Sequence, residues 1–329
     1  MHAAPWCPEP EPEANWCRVT PMPARAALAR IGDVAADDVL PLVGRLWGGA
    51  RRSVDELAVR LLGSDFEERA RLLQARYAEA GGDPFGLDLE TAKYAIMTCA
   101  FFHRLWFRAE VRGLENVPAG RVLLIANHSG QIPIDGAMIG TSLFLDHEPP
   151  RVIRAMVEKW SQTLPFVSTF FSRVGQVVGV PENARRLLEM GEALLVFPEG
   201  TRGISKPFSR RYQLQEFGNG FMRLAIETGT PIVPVAVVGA EEQYVNLGNL
   251  KWAARALRMP VFPVIPQVFV PFGQMPLPTK YFIHFGEPLH IQGDADEDDA
   301  VMEEKVHLVK QTIQSMINRG LKQRTSLFF

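Results

Sequence analysis

The chain has 329 residues, of which 47% are hydrophobic and 22% charged, and its formal net charge is −2. That length fits one large α/β domain with an added helical segment, or two small domains, and the near-balanced charge gives no global field to draw nucleic acid. The cysteines Cys7, Cys17 and Cys99 are odd in number and lack metal-type spacing, so no disulfide framework is expected and a reducing compartment is.

The first twenty residues include Pro8-Glu9-Pro10-Glu11-Pro12-Glu13. They read as a disordered tail, because a secretory leader would start basic and continue apolar. Residues 21–110 read as a helical segment. One apolar-periodic stretch opens at Ser53 and stops at Gly63. Asp65 is placed to cap a second helix that ends near Gly81-Gly82, and Asp88 a third that runs to about Arg108. Residues 94–102 are uncharged but far short of the ~20 residues that span a bilayer. They continue as His103-Arg104-Leu105-Trp106-Phe107-Arg108, where aromatic and basic residues interleave. That mixture suits a helix lying in a membrane interface, and equally a helix packed on the main domain.

From residue 111 onward, apolar runs alternate with helical patterns. Strands are predicted at 121–126, 151–157, 176–180, 193–197 and 231–238, and helices at about 133–145, 159–170, 182–190 and 216–228. The alternation implies an α/β fold over 111–329, a mostly parallel sheet with crossover helices. Residues 259–275 carry no charge and include Pro260, Pro263, Pro266 and Pro271, so they cannot form a regular helix. They form either a proline-broken loop over the core or an apolar lip that meets lipid. Residues 281–285 add a late strand. Residues 294–299 are acidic, which suits the start of a final helix. That helix would bury Val301, Val306, Val309, Ile313, Met316 and Ile317, and stop at Gly320.

Two strand-like runs carry chemistry at their ends. Val122-Leu123-Leu124-Ile125-Ala126 leads into Asn127-His128-Ser129-Gly130, with Asp135 downstream. Ala193-Leu194-Leu195-Val196-Phe197 leads into Pro198-Glu199-Gly200-Thr201-Arg202. A histidine at a strand's exit can reach a cleft, and a carboxylate beside it can fix its tautomer and raise its basicity. Two such loops suggest one site at the strand ends of an open sheet. Asp135 alone is equally a helix cap. There is no G-x-S-x-G, no G-x-x-x-x-G-K, no G-x-G-x-x-G, and no His or Cys pair at zinc spacing.

These blocks, with Gly229-Thr230-Pro231-Ile232-Val233-Pro234-Val235, resemble the glycerolipid acyltransferase family, which includes 1-acyl-glycerol-3-phosphate acyltransferases. The resemblance covers roughly residues 111–290. It implies O-acyl transfer from acyl-coenzyme A or acyl carrier protein, as co-substrate, to a glycerolipid hydroxyl. In that reading His128 is the general base and Asp135 orients it. Arg202 grips a phosphate, and Glu199 accepts hydrogen bonds from hydroxyls or from Arg202. Gly200 lets the backbone approach the ligand, and Thr201 supplies a hydroxyl or caps a turn. No metal or other cofactor is implied.

Two departures stand out. Six residues separate His128 from Asp135 where the family usually has four, a spacing similar to the variant associated with neutral acylglycerols. Six residues past Gly175, where the family usually carries a phosphate-binding arginine, stands Pro181; Arg173, Arg185 or Arg186 could substitute. The alternatives are a thioesterase or esterase that uses the same histidine on water, and an inactive lipid-binding relative. Work on a lipid acceptor implies a cytoplasmic protein held peripherally at a membrane surface. The other histidines, and Phe166, Phe170 and Phe171, read as structural, and Lys206, Arg210 and Arg211 as a solvated loop.

Overall fold

A computed structural model describes residues 56–129, 133–160, 166–256 and 262–328. The expected tail and the helix start at Ser53 lie outside these residues. Ala58–Phe329 form one compact unit, and of the other, Met1–Leu57, only Glu56 and Leu57 are described.

Helical residues 56–62 and the helices α1 (Phe66–Glu79) and α2 (Leu89–Phe101) lead into the sheet. Asp88 caps α2 as its position predicts, its carboxylate accepting from the amides of Glu90 and Thr91. Asp65 precedes α1 without a side-chain cap bond; its carboxylate takes the Arg69 guanidinium at 2.6 Å instead. Past α2 the chain winds into one π-helical turn, Phe102–Trp106, closed by the Phe107 amide on Phe102 O. Phe107 is fully buried and Trp106 half-buried, so much of 102–107 packs inward. The outward stripe of α2 is Tyr94, Met97 and Phe101.

The sheet has seven strands: β1 (Glu110–Arg112), β2 (Val122–Ala126), β3 (Ile153–Val157), β4 (Val177–Val178), β5 (Ala193–Val196), β6 (Ile232–Val238) and β7 (Phe282–Phe285). Their order is β1-β7-β6-β2-β5-β3-β4. Strands β2 to β6 are mutually parallel. β7 is antiparallel to β6 and parallel to β1, so one margin of the sheet runs the other way.

Every residue of β2 and β6 is buried, as expected of strands covered on both faces. Alternate residues go to opposite layers. Leu123, Ile125, Ile232 and Val238 join one core, and Val122, Leu124, Val233 and Val237 the other. The first core is closed by α5 (Pro181–Glu189), α7 (Gly220–Thr228) and α9 (Asp299–Gln323). The second is closed by α3 (Ile134–Leu145) and the turn around Phe107. Phe66, Leu73 and Tyr77 of α1 form a third cluster with Ala100 of α2 and Phe144 of α3.

Three further elements are α4 (Val167–Arg173), α6 (Thr201–Ile204) and α8 (Lys251–Ala256). α4 takes up the C-terminal part of the helix expected at about 159–170, of which residues 161–165 lie outside the described residues. α9 buries five of its expected apolar stripe together with Met302, but Val301 is 42% exposed. Nor does α9 stop at Gly320, which is an internal point of close approach: a Cβ there would lie 3.1 Å from Val238 Cγ2. Among the described residues no helix is long and apolar enough to cross a membrane.

Candidate active site

The carboxyl ends of β2, β5 and β6 share one sheet edge. Asn127 ends β2 there by imitating a strand backbone. Its amide nitrogen donates to Val237 O at 3.0 Å, and its side-chain oxygen accepts the Val237 amide at 2.8 Å. The next residue, His128, is thereby released from the ladder at a fixed place.

Asp135 sits in the first turn of α3 and is completely buried. Its Oδ2 accepts His128 Nδ1–H at 2.8 Å, the Ser129 amide at 2.8 Å and Ser129 Oγ at 3.3 Å. Its Oδ1 accepts the Gly136 amide at 2.8 Å. The carboxylate therefore bonds helix backbone and imidazole together. The six-residue separation does not prevent the pairing; residues 130–132 of the connecting loop lie outside the described residues. Because a carboxylate only accepts, the proton sits on Nδ1 and the lone pair on Nε2. Among the described residues nothing bonds Nε2, and the His128 side chain is 14% exposed.

The second block lies against the first. The His128 ring stacks on Phe197, centroids 4.1 Å apart at 21°. The Glu199 side chain has no exposure. Its oxygens accept the His128 amide at 3.1 Å and the Gln215 amide at 2.8 Å, and not Arg202. Gly200 has φ +54 and ψ −141, a backbone state open to glycine. Thr201 is the half-buried first residue of α6. Arg202 points outward and pairs with Glu216 at 2.8 Å, both exposed. Gly203 closes the contact: a Cβ there would lie 3.0 Å from Glu199 Cβ and 3.1 Å from His128 Cβ.

Lys206 is not in a solvated loop. Its side chain is 3% exposed, with Nζ 3.0 Å from Glu241 Oε1, 3.6 Å from Glu199 Oε2 and 3.2 Å from Gln213 O. Burial pushes Glu241 up to about 7, against the pull of the Lys206 charge. The signal for this cluster was Glu241-Glu242, which follow the buried strand β6 after two intervening residues, at the same edge as Glu199. Buried carboxylates there require a cation. The substitutes considered for the missing phosphate ligand are otherwise disposed. Arg185 bonds Glu182 and Glu227, Arg186 lies over the Phe85 ring, and Arg173 is exposed at the end of α4. Phe166 and Phe170 are not core residues, being 88% and 49% exposed. A cavity of about 380 Å³ lined by Gln74, Tyr77 and Leu87 lies apart from these groups, and none of its lining residues belongs to the His128 site.

The arrangement is an α/β fold with a histidine–carboxylate pair at the strand ends, able to move one proton at Nε2. Residues 108–238 match the Acyltransferase family model. An uncharacterised protein of Mycobacterium leprae is 40% identical over 255 residues, 75% of this chain and 70% of that protein. The mouse (Mus musculus) "DGAT1/2-independent enzyme synthesizing storage lipids" is 24% identical over 218 residues, 65% of this chain and 61% of its own length. A "probable 1-acyl-sn-glycerol-3-phosphate acyltransferase" of Mycoplasma pneumoniae is 26% identical over 178 residues, 51% of this chain and 64% of its own. The chain therefore spans less than two thirds of either of these last two relatives. It belongs to the acyltransferase family, the group of glycerolipid acyltransferases.

Proposed function

We propose that this acyltransferase moves a fatty acyl group from an acyl thioester, acyl-coenzyme A or acyl carrier protein, to a glycerolipid hydroxyl. The observation that carries the reading is the 2.8 Å bond from His128 Nδ1 to buried Asp135, which leaves the lone pair on Nε2. Nε2 takes the hydroxyl proton as the acceptor oxygen attacks the thioester carbonyl. Asp135 stabilises the resulting imidazolium. As the tetrahedral intermediate collapses, the C–S bond breaks and the imidazolium returns the proton to the leaving sulfur. A positioned base of this kind contributes roughly 10²–10⁴-fold.

Glu199 acts in this reading through backbone, holding the His128 amide and the 215 loop, while Gly200, Thr201 and Arg202 face the acceptor. Among the described residues Arg202 is held by an exposed pair with Glu216, of the kind that contributes about 0–1 kcal/mol, so a phosphate can displace it. The cations nearest Pro181 are less free, Arg185 being bonded to two carboxylates. The acceptor is accordingly either lysophosphatidate, gripped through Arg202, or a mono- or diacylglycerol that needs no such grip. Because a long-chain acceptor stays in its bilayer, the reaction takes place at a membrane surface.

The test is mass spectrometry of lipids formed from acyl-coenzyme A and a mixture of phosphate-bearing and neutral acceptors. A new acylglycerol supports the reading. Release of free fatty acid at the same rate with and without acceptor would make the protein a thioesterase, and no turnover would make it a binding relative.

A further inference from the structure

We infer that the described residues of the excursion from Gln243 to Lys280, 243–256 and 262–280, form a lipid-docking surface, which seats the His128 edge of the sheet on an anionic bilayer. The inference deepens the acyl-transfer reading and rests on it for a substrate that resides in the membrane.

The excursion's place in the fold is the first support. It leaves the carboxyl end of β6 and returns at the start of β7, where Val238 pairs with Phe282. It thus rises from the same edge as His128 and Glu199. It is tied to the second motif's own helix turn: the Phe208 amide donates to Asn246 O at 2.8 Å, and Asn246 Nδ2 to Lys206 O at 3.1 Å. The docking surface and the reacting histidine are therefore parts of one hydrogen-bonded rim.

Exposure and charge are the second. Trp252 is 71%, Phe269 83% and Phe272 87% exposed, on a protein whose other large apolar side chains are mostly buried. Several large exposed apolar side chains on one excursion mark it as a contact surface. Phe272 has φ +62, an unfavourable state for a bulky residue, while its ring stands in solvent. Between Glu242 and Glu287 the sequence has no acidic residue, although the chain carries 37. Exposed Arg255 lies within the excursion, and exposed Arg210 lies on the turn bonded to it. Aromatic side chains with cations and no anions complement anionic headgroups over an acyl boundary.

Continuity is the third. Trp106 Nε1 donates to Pro276 O at 2.9 Å, and its ring lies 6.4 Å from that of Phe101. Phe101 belongs to the exposed stripe of α2, with Tyr94 and Met97. Trp106 therefore links the excursion to the exposed stripe of α2.

The test is co-sedimentation of the full chain with vesicles of phosphatidylcholine, alone or mixed with phosphatidylglycerol. The chain should favour the mixed vesicles. Phe269→Ser with Phe272→Ser should weaken that binding about tenfold or more, and Arg210→Glu with Arg255→Glu should abolish the preference for the anionic lipid. Both double variants should still turn over a short-chain, water-soluble thioester as the parent chain does. A parent chain that binds vesicles yet turns over no soluble thioester would sink the acyl-transfer reading and leave the docking surface standing. Undiminished sedimentation of the serine variant would overturn the docking surface. So would equal binding to both vesicle types, or a dimer in vesicle-free solution that the serine changes dissociate.

Discussion

Two histidines packed on α3 show what burial does without a charge, and what a charge does at an opening. His103, in the π-helical turn, has no exposure and meets only Ser142, its Nε2 lying 2.9 Å from Oγ. Ser142 Oγ donates onward to Met138 O, so Nε2 carries the proton. Nδ1 is buried without a partner, and burial holds the imidazole down to about 3. That ring is neutral at every physiological pH and has no route by which to pass a proton. His128 has the opposite surroundings: a buried carboxylate on Nδ1, backbone locks on both sides, and a partly open face. Proximity to a helix and a strand is common to both rings. The carboxylate and the opening separate a base from a packed side chain.

The sharpest way to break the contrast is His128→Ala. Transfer should fall by roughly 10²–10⁴-fold with the thermal midpoint little changed, as measured by thiol release alongside calorimetry; full activity would remove the base. Asp135→Asn should lower kcat about 10²-fold and leave the KM for the thioester near its parent value, because the amide no longer favours the imidazolium. An equal change in both constants would mean that Asp135 merely shapes the pocket.

Replacing His103 by Gln should leave turnover unchanged and alter the acid limb of stability. A histidine with a lowered folded value binds its proton in the unfolded chain first. Its contribution is present above about 6.5 and is lost as pH falls toward about 3. The Gln variant should therefore show a flatter decline over that window in urea melts at several pH values. Smallest of all, Ser142→Ala should cost about 1–3 kcal/mol by orphaning Nε2–H, with no change in rate.

Much of this was legible in the chain. β2, β5 and β6 announce themselves because both faces are covered, so each is one apolar run, and the polar loops that follow mark the edge where chemistry gathers. What was not legible depends on neighbours distant in sequence. β1 is only Glu110-Val111-Arg112, a margin strand with a single apolar residue, and it exists because β7 offers it a partner. Lys206 looks solvated among its local basic residues and is buried by Glu199 and Glu241. Asp65 has a capping position but finds Arg69 one turn on. Gly320 reads as a stop because nothing local reveals the strand pressed against it. At the site, the local pattern supplied the residues and the sheet edge where they meet, while Glu199's two backbone partners depend on the path of the 215 loop.

The pinch at Gly203 has a mechanical consequence. A methyl group at Gly203 would press on both Glu199 and His128, so the turn that bears one and the loop that bears the other are packed closely enough to move together. Any rearrangement that admits a bulky guest must travel through the outer rims, while the central pair shifts as a single block and keeps its internal spacing.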